Sequence, residues 1–354
     1  MSLRDLLRAV TPGRKDIRNL TRREAYGAFD AILSGEESEI TVASFFVALR
    51  AKGLTVDELG GFASAARDHA TLPCQDMSGL VCLCPPHDGT DYAPPLDVAS
   101  ALIAAGAGAR VLICSDRDVP PNRGLTAAHV LDHLGAGMTW DPTEAEDWVA
   151  KTRFAAIAVS GMLPSLLSLR KVRRDVVMRV PLATVEKLIC PRNAAVIVGA
   201  QAGPVLGVAV EVMQSLGHSR AMAIQGIEGS VTPSVRKRTR GIELVANDLV
   251  SLVVQPEDFG LVCNEEPELP LFMPGPEDKG AGDNPALVKA AGDLTSLVLA
   301  GEPGSARCAA LLGAALTLKA AGRCLTLAEG VDSAISSLDS GAASAVLNKL
   351  RGLQ

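Results

Sequence analysis

Through the first seventy residues apolar positions recur at helical spacing. Beyond about residue 79 they gather into short runs separated by longer helical ones, so the chain divides into two regions of different period. In the first region Phe45, Phe46 and Leu49 share one face of an amphipathic helix. Thr21-Arg22-Arg23-Glu24 and Thr55-Val56-Asp57-Glu58 are capping boxes, in which threonine and glutamate cover each other's free N–H groups at a helix start. Gly35 and Gly53 are natural stops for the helices that precede them. In the second region, strands are predicted at Gly79–Leu83, Arg110–Cys114, Ala155–Val159, Ala194–Val198, Ala221–Ile224 and Leu249–Val254. Helical runs such as Val98–Ala107 and Ala127–Leu134 lie between them, an alternation that predicts an α/β domain with a mostly parallel sheet. Residues 265–286, rich in Pro, Gly, Glu and Asp, read as a surface excursion, and Ala306–Ala321 and Leu327–Leu350 return to helix.

Composition narrows the function classes. With 354 residues the chain can bury a large core and divide into two domains, and 48% hydrophobic against 21% charged residues excludes a disordered chain. The start Met1-Ser2-Leu3-Arg4-Asp5 lacks the layout of a signal peptide, and no apolar run approaches a membrane span. Eight scattered cysteines fit reduced thiols, so a cytoplasmic protein is expected. A net charge of −6 argues against a uniformly basic nucleic-acid surface but permits a local patch. Aromatics are 3%, so stacking on bases would be sparse.

Two such patches stand out. Arg170-Lys171-Val172-Arg173-Arg174 opens a helix, and Arg236-Lys237-Arg238-Thr239-Arg240 follows a turn at Pro233. Each set either neutralises phosphates in a salt-sensitive way or is a solvated face paired with nearby acids such as Asp175. Cys82, Cys84 and His87, with Cys114 on a neighbouring strand, are either metal ligands or small buried thiols; the spacing is not that of a zinc ribbon. His129 and His133 lie one helical turn apart, with Asp132 misplaced for a metalloprotease helix. Gly199-Ala200-Gln201-Ala202-Gly203 lacks dinucleotide spacing and reads as a strand-to-helix turn.

Motifs in order along the chain then carry a resemblance. Leu20-Thr21-Arg22-Arg23-Glu24-Ala25, Ile32-Leu33-Ser34-Gly35-Glu36 and Ala48-Leu49-Arg50-Ala51-Lys52-Gly53 resemble the helical domain of anthranilate phosphoribosyltransferases. Pro256-Glu257-Asp258-Phe259-Gly260, Gly301-Glu302-Pro303-Gly304, Ala320-Ala321-Gly322-Arg323, Leu327-Ala328-Glu329-Gly330 and Asp339-Ser340-Gly341 resemble the later parts of the same family. The resemblance implies the fold shared with nucleoside phosphorylases, a small all-helical N-terminal domain joined to an α/β domain, and a homodimer formed through the helices. The expected division is 1–75, with a returning segment near 163–191, against 76–162 plus 192–354.

The family's chemical motifs fare differently. Its Gly-Thr-Gly-Gly-Asp-Gly phosphoribosyl pyrophosphate loop falls on Cys84-Pro85-Pro86-His87-Asp88-Gly89, where only Asp88-Gly89 matches. Proline has no N–H to donate to a phosphate. Two lost donors to a charged acceptor weaken binding by about 3–6 kcal/mol, roughly 10²–10⁴-fold. The Lys-His-Gly-Asn-Arg segment falls on Cys114–Asp118, the magnesium-binding Asp-Glu pair on Val231-Thr232, and the Asn-Leu-Leu-Gly-Pro-Leu-Thr-Asn-Pro stretch on Ala183–Pro191.

Val172-Arg173-Arg174 resembles the segment whose arginine meets the anthranilate carboxylate. Arg179, Thr184, Lys187-Leu188, Pro191 and Gly226–Val231 look more like a divergent branch associated with nucleic-acid binding. A divergent member is therefore expected, binding nucleic acid or a phosphorylated small molecule through Arg170, Lys171, Arg174, Arg236, Lys237, Arg238 and Arg240. The cleft residues would be Asp88, Gly89, Thr90, Arg123, Arg173, Arg179 and Lys187. No cofactor is expected, and magnesium only if transfer is retained; a transferase with an altered donor site is the alternative.

Overall fold

The computed structural model describes residues 1–201, 203, 205–273 and 279–353. Four helices come first: α1 (Leu3–Val10), α2 (Arg22–Leu33), α3 (Glu39–Lys52) and α4 (Val56–His69). Both predicted capping boxes form, at the starts of α2 and α4. Phe29, Phe45, Phe46 and Phe62 meet with ring centroids 5.5–6.4 Å apart and fill the core of this bundle. Helices α2 and α4 cross closely at Gly61, where a Cβ would lie 2.4 Å from the Arg22 carbonyl oxygen.

The α/β part follows as β1 (Leu80–Cys84), α5 (Asp97–Gly106), β2 (Arg110–Ser115), α6 (Ala127–His133), α7 (Pro142–Thr152) and β3 (Phe154–Ala158). Next come α8 (Val159–Met162), α9 (Leu166–Val176), α10 (Leu182–Val185), β4 (Ala195–Gly199), α11 (Val205–Ser215) and β5 (Ala221–Ile224). The chain closes with β6 (Thr239–Val245), β7 (Asp248–Val254), α12 (Pro285–Leu299), α13 (Ser305–Ala320), α14 (Leu327–Asp339) and α15 (Ala342–Arg351). The sheet order is β3-β2-β1-β4-β5-β6-β7. Strands β1 to β5 run parallel, and β6 and β7 add an antiparallel hairpin at one edge. Strands β1, β3, β4 and β5 are buried at every position, as expected of a sheet covered by helices on both faces.

The six predicted strands are present within one residue at each end. Sequence reading missed β6, because Thr239 and Arg240 continue the preceding basic run and Gly241 weakens strand propensity. Ala246 and Asn247, both with positive φ, make the hairpin turn that joins it to β7. The predicted helix Leu327–Leu350 is two helices, broken at left-handed Gly341. The predicted excursion 265–286 lies partly outside the described residues, as does Ala202.

Helices α9 and α10 turn back onto the N-terminal bundle, α9 against α3 and α10 against α4. Arg67 of α4 fastens this contact: it is buried, and its Nε donates to the Leu188 carbonyl at 2.7 Å.

Within the bundle, the buried Glu58 carboxylate accepts N–H bonds from Leu20 and Thr55 at 2.8 and 2.9 Å and a bond from Lys52 Nζ at 2.9 Å. Removing one partner of such a buried pair strands the other's charge. Glu58→Ala is expected to lower unfolding free energy by about 3–5 kcal/mol in urea titrations. Lys151→Ala, at an exposed pair with Asp147, should change it by less than about 1 kcal/mol. Equal effects would refute the anchoring role of Glu58.

Candidate functional site

Two cavities adjoin at the carboxyl ends of the parallel strands, where open α/β sheets place ligands. The larger, of about 930 Å³, is polar and lined among others by Asn122, Gln201, Gln225, Lys237, Arg238 and Arg240. The smaller, of about 420 Å³, reaches toward the helical bundle and is lined by apolar groups such as Leu54, Leu59, Val180 and Val212. Arg179, Gln201, Glu228 and Gly229 border both.

The segment after β1 is locked by its own backbone. The Gly89 N–H donates to the Pro86 carbonyl at 3.1 Å, and Thr90 and Leu125 exchange N–H···O bonds at 3.0 and 2.8 Å. Gly89 has φ +76°, and a Cβ there would lie 2.4 Å from the Gly124 carbonyl carbon, so only glycine fits. The two prolines supply no donors, and the donors of Gly89 and Thr90 are already engaged. Gly89 and Thr90 line neither cavity, and their N–H groups are bonded to the Pro86 and Leu125 carbonyls.

Three of the arginines expected at the cleft, Arg123, Arg173 and Arg179, are met by the chain's own carboxylates. Arg179 donates from Nε to Asp88 at 2.6 Å, and Asp88 is buried. Arg173 is 1% exposed and is bonded to Glu186, which is also buried; it borders neither cavity, so the expectation that it faces the cleft is corrected. Glu186 occupies a glycine position of the family's Asn-Leu-Leu-Gly-Pro stretch, a signal available in the sequence. Arg123 holds Asp283 through two bonds of 2.9 and 2.6 Å and also lies outside the cavities. Lys187 does line the smaller cavity; its Nζ donates to the Gly199 carbonyl at 2.8 Å, and burial lowers its pKa.

Backbone anion receptors are occupied as well. The Glu228 carboxylate accepts the N–H groups of Asp91, Tyr92 and Ala93 at 2.7, 3.1 and 2.9 Å. At the start of α5, Asp97 is buried and its Oδ2 has no hydrogen-bond partner among the described residues, so burial outweighs the pull of the nearby Asp97 and Val98 N–H groups on its charged form. Sequence reading passed over Asp97, although its place after Pro94-Pro95 at a helix start was a usable signal.

The two basic clusters part company. Arg170 bonds the buried Asp116 at 2.6 Å, Lys171 bonds Glu39, and Arg174 lies beside Asp175; none of the three lines a cavity. They line neither cavity with the second cluster: Arg170 and Lys171 hold neighbouring elements, and Arg174 is exposed beside its own neighbour Asp175. Arg236, Lys237, Arg238 and Arg240 are exposed, and among the described residues their side chains have no carboxylate partner. The turn that presents them is fixed by Ser234, whose Oγ accepts the N–H groups of Arg236 and Lys237 at 3.2 and 3.1 Å. Glu266 bonds that hydroxyl and accepts the Val235 N–H at 3.0 Å.

Metal chemistry finds little support in these side chains. Among the described residues no group of three or more His, Cys, Asp or Glu is arranged to hold a metal. Where the family carries its acidic pair stand the buried Val231 and Thr232. Glu228 is committed to three amides, so the residues present do not fit a pyrophosphate-bound magnesium. His87 bonds the Cys114 carbonyl at 3.0 Å instead of joining the cysteines. Cys82 and Cys84 are buried beside Cys114 and Cys190, and their thiol pKa values are raised well above normal. His129 and His133 point to different acids, Asp118 at 3.6 Å and Asp293 at 3.0 Å.

Burial lifts the Asp97 carboxyl to a pKa of about 6, above its ordinary 3.8. A raised carboxyl pKa means the folded state holds its proton more tightly, so this group's stabilisation is present at low pH and is lost as pH climbs from about 4 to about 6. Asp97→Asn is therefore expected to gain roughly 2–3 kcal/mol relative to wild type between pH 4 and pH 7. Thermal unfolding across that range checks this; a difference that does not vary with pH contradicts it.

Comparison with known proteins agrees with this architecture. Residues 4–70 match the helical bundle domain of a glycosyl transferase family, and residues 95–344 match that family's a/b domain. The chain is 31% identical over 341 residues to the anthranilate phosphoribosyltransferase of Bacillus mycoides, covering 94% of this chain and 93% of the relative. It is 28% identical over 337 residues to that of Lacticaseibacillus paracasei, with 94% and 93% covered. The fold superposes with a TM-score of 0.80 on anthranilate phosphoribosyltransferase from Thermus thermophilus, at 24% identity, covering 99% of this chain and 98% of that one. The Saccharomyces cerevisiae enzyme in complex with PRPP and Mg also gives 0.80, at 15% identity, with 99% and 97% covered. On both domains and nearly its full length, the chain belongs to the anthranilate phosphoribosyltransferase family of glycosyl transferases.

Proposed function

We propose that this chain is an anion-binding member of its family that takes single-stranded nucleic acid rather than performing ordinary phosphoribosyl transfer. One observation carries the reading: among the described residues Lys237, Arg238 and Arg240 line the larger cavity, exposed and without carboxylate partners, while Arg179, which also lines it, is paired with Asp88. A backbone phosphate would meet them without displacing an ion pair. Tyr92, 46% exposed, lines the same cavity and offers one face on which a base can stack. Glu268 and Asp91 also line it, so the positive field is confined to the 236–240 turn.

A second reading is favoured by the 31% identity to an anthranilate phosphoribosyltransferase. It is a phosphoribosyl or other glycosyl transferase with an altered donor site, and it predicts release of pyrophosphate from phosphoribosyl pyrophosphate in the presence of an acceptor.

We further infer a homodimer formed through the helical bundle, where Ile40 and Val47 of α3 and Leu167 of α9 are exposed. A cytoplasmic setting is supported by eight free thiols and by the absence, among the described residues, of a helix long and apolar enough to cross a membrane.

Fluorescence anisotropy with a labelled single-stranded oligonucleotide tests the main reading, with sedimentation of the same sample expected at twice the chain mass. The logarithm of affinity should fall with the logarithm of salt at a slope of about −2 to −3, as four cations releasing counterions require. Arg236→Glu with Arg238→Glu should weaken binding at least about tenfold and flatten the slope. Arg174→Glu, outside the cavity, should leave both unchanged. Absent or salt-insensitive binding would refute the reading.

A further inference from the structure

The basic turn at 236–240 is supported by segment 261–266, which belongs to no helix or strand. The Cys263 N–H donates to the Val235 carbonyl at 2.9 Å, and Glu266 accepts the Val235 N–H at 3.0 Å and the Ser234 hydroxyl. Ser234 in turn holds the amides of Arg236 and Lys237, so this segment sets where the cations emerge. Helix α13 packs against the foot of the turn: a Cβ on its Gly313 would stand 3.8 Å from Pro233 Cδ. Cys308 sits in the first turn of α13, its N–H bonded to the Gly304 carbonyl at 3.1 Å, next to the fully buried Ala309 and Ala310. Its side chain lies beside that of Cys263. One thiol of the pair is therefore on the loop that supports the turn, and the other on a helix seated in the core.

Accessibility singles this pair out. Five of the eight cysteines are buried, whereas Cys263, Cys308 and Cys324 are half-buried. Cys324 stands beside Glu329 and Lys319. Burial, then the neighbouring Cys263, push the Cys308 thiol up to about 11. That makes Cys308 a slow nucleophile, so Cys263 meets an external disulfide first. We propose that Cys263 and Cys308 form a reversible disulfide that locks the support of the basic turn to α13. The Cys263 thiolate attacks one sulfur of a low-molecular-weight disulfide, giving a mixed disulfide and one released thiolate. Cys308 then attacks the Cys263 sulfur and expels the second thiolate, and the two cysteine protons end on the two released thiols. Two cysteine thiols are oxidised as one external disulfide is reduced. The closed link restrains segment 261–266, so the bond between Cys263 and Val235 opens less often. The lock belongs to the turn itself and holds whichever anion the turn receives. Where small thiols predominate it stands open, and a rise in the corresponding disulfide closes it.

The full-length protein is incubated with oxidised glutathione, and its reduced and oxidised forms are compared by tryptic mapping and amide hydrogen exchange. The peptide containing Cys263 should be joined to the one that begins at Cys308, after cleavage at Arg307, and dithiothreitol should separate them. Exchange across 261–266 should slow at least about tenfold in the oxidised form. Cys308→Ser should abolish both the link and the slowing, and Cys324→Ser should keep both. Should Cys308→Ser not fold, Cys263→Ser makes the same test. Glutathione adducts without a link between Cys263 and Cys308 overturn the pairing, as does a protein that stays unmodified. A link that leaves the exchange of 261–266 unchanged overturns the lock. Neither readout involves nucleic acid, so oligonucleotide binding stands or falls separately.

Discussion

Charge buried at the ends of a parallel sheet has to be answered, and here the chain answers it from within. An uncompensated ion in that setting costs several kcal/mol, so each arginine or amide cluster pointing inward demands an anion. A ligand can supply it, or a carboxylate of the protein can. Asp88 serves Arg179, Glu186 serves Arg173, and Glu228 serves the amides of residues 91–93. The scaffold around these contacts is that of a phosphoribosyltransferase, but its anion receptors are occupied without substrate. Among the described residues, the cations of the basic turn before and into β6 that line the larger cavity have no carboxylate partner.

The same constraint explains how the two parts of the chain are tied. Arg67 is buried at the contact between α4 and the segment leading into β4, donating to the Leu188 carbonyl and, at 3.4 Å, to the Cys190 sulfur. Lys171 of α9 reaches Glu39 of α3. Arg170 reaches Asp116 beyond β2, which also accepts the Ser160 N–H at 3.0 Å. Residues of the first basic cluster thus act as fasteners between elements, and little of their charge is left for a ligand.

Much of this is legible in the chain. Strand and helix periods, the capping boxes at Thr21 and Thr55 and the order of motifs are enough to place the fold, because each depends on residues a few positions apart. The strand β6 escapes notice since its alternation begins inside a basic run and is interrupted by Gly241. The site is less legible for a different reason. Asp88 and Arg179 are 91 positions apart, and Glu228 meets Asp91 across 137. A count of arginines along the sequence cannot tell a paired guanidinium from a free one, so Arg170 and Arg238 look alike. Prolines at 85 and 86 do announce the loss of phosphate donors, whereas the internal bonds of Gly89 and Thr90 that complete that loss need three dimensions.

Whether the occupied receptors still admit the family's donor is the central question, and calorimetric titration with phosphoribosyl pyrophosphate and Mg²⁺ addresses it most directly. The account predicts no saturable heat up to millimolar donor, because Asp88 and Glu228 already hold groups that would receive the phosphates. Saturable binding with a micromolar constant would contradict it and show that the cleft exchanges its own carboxylates for the donor.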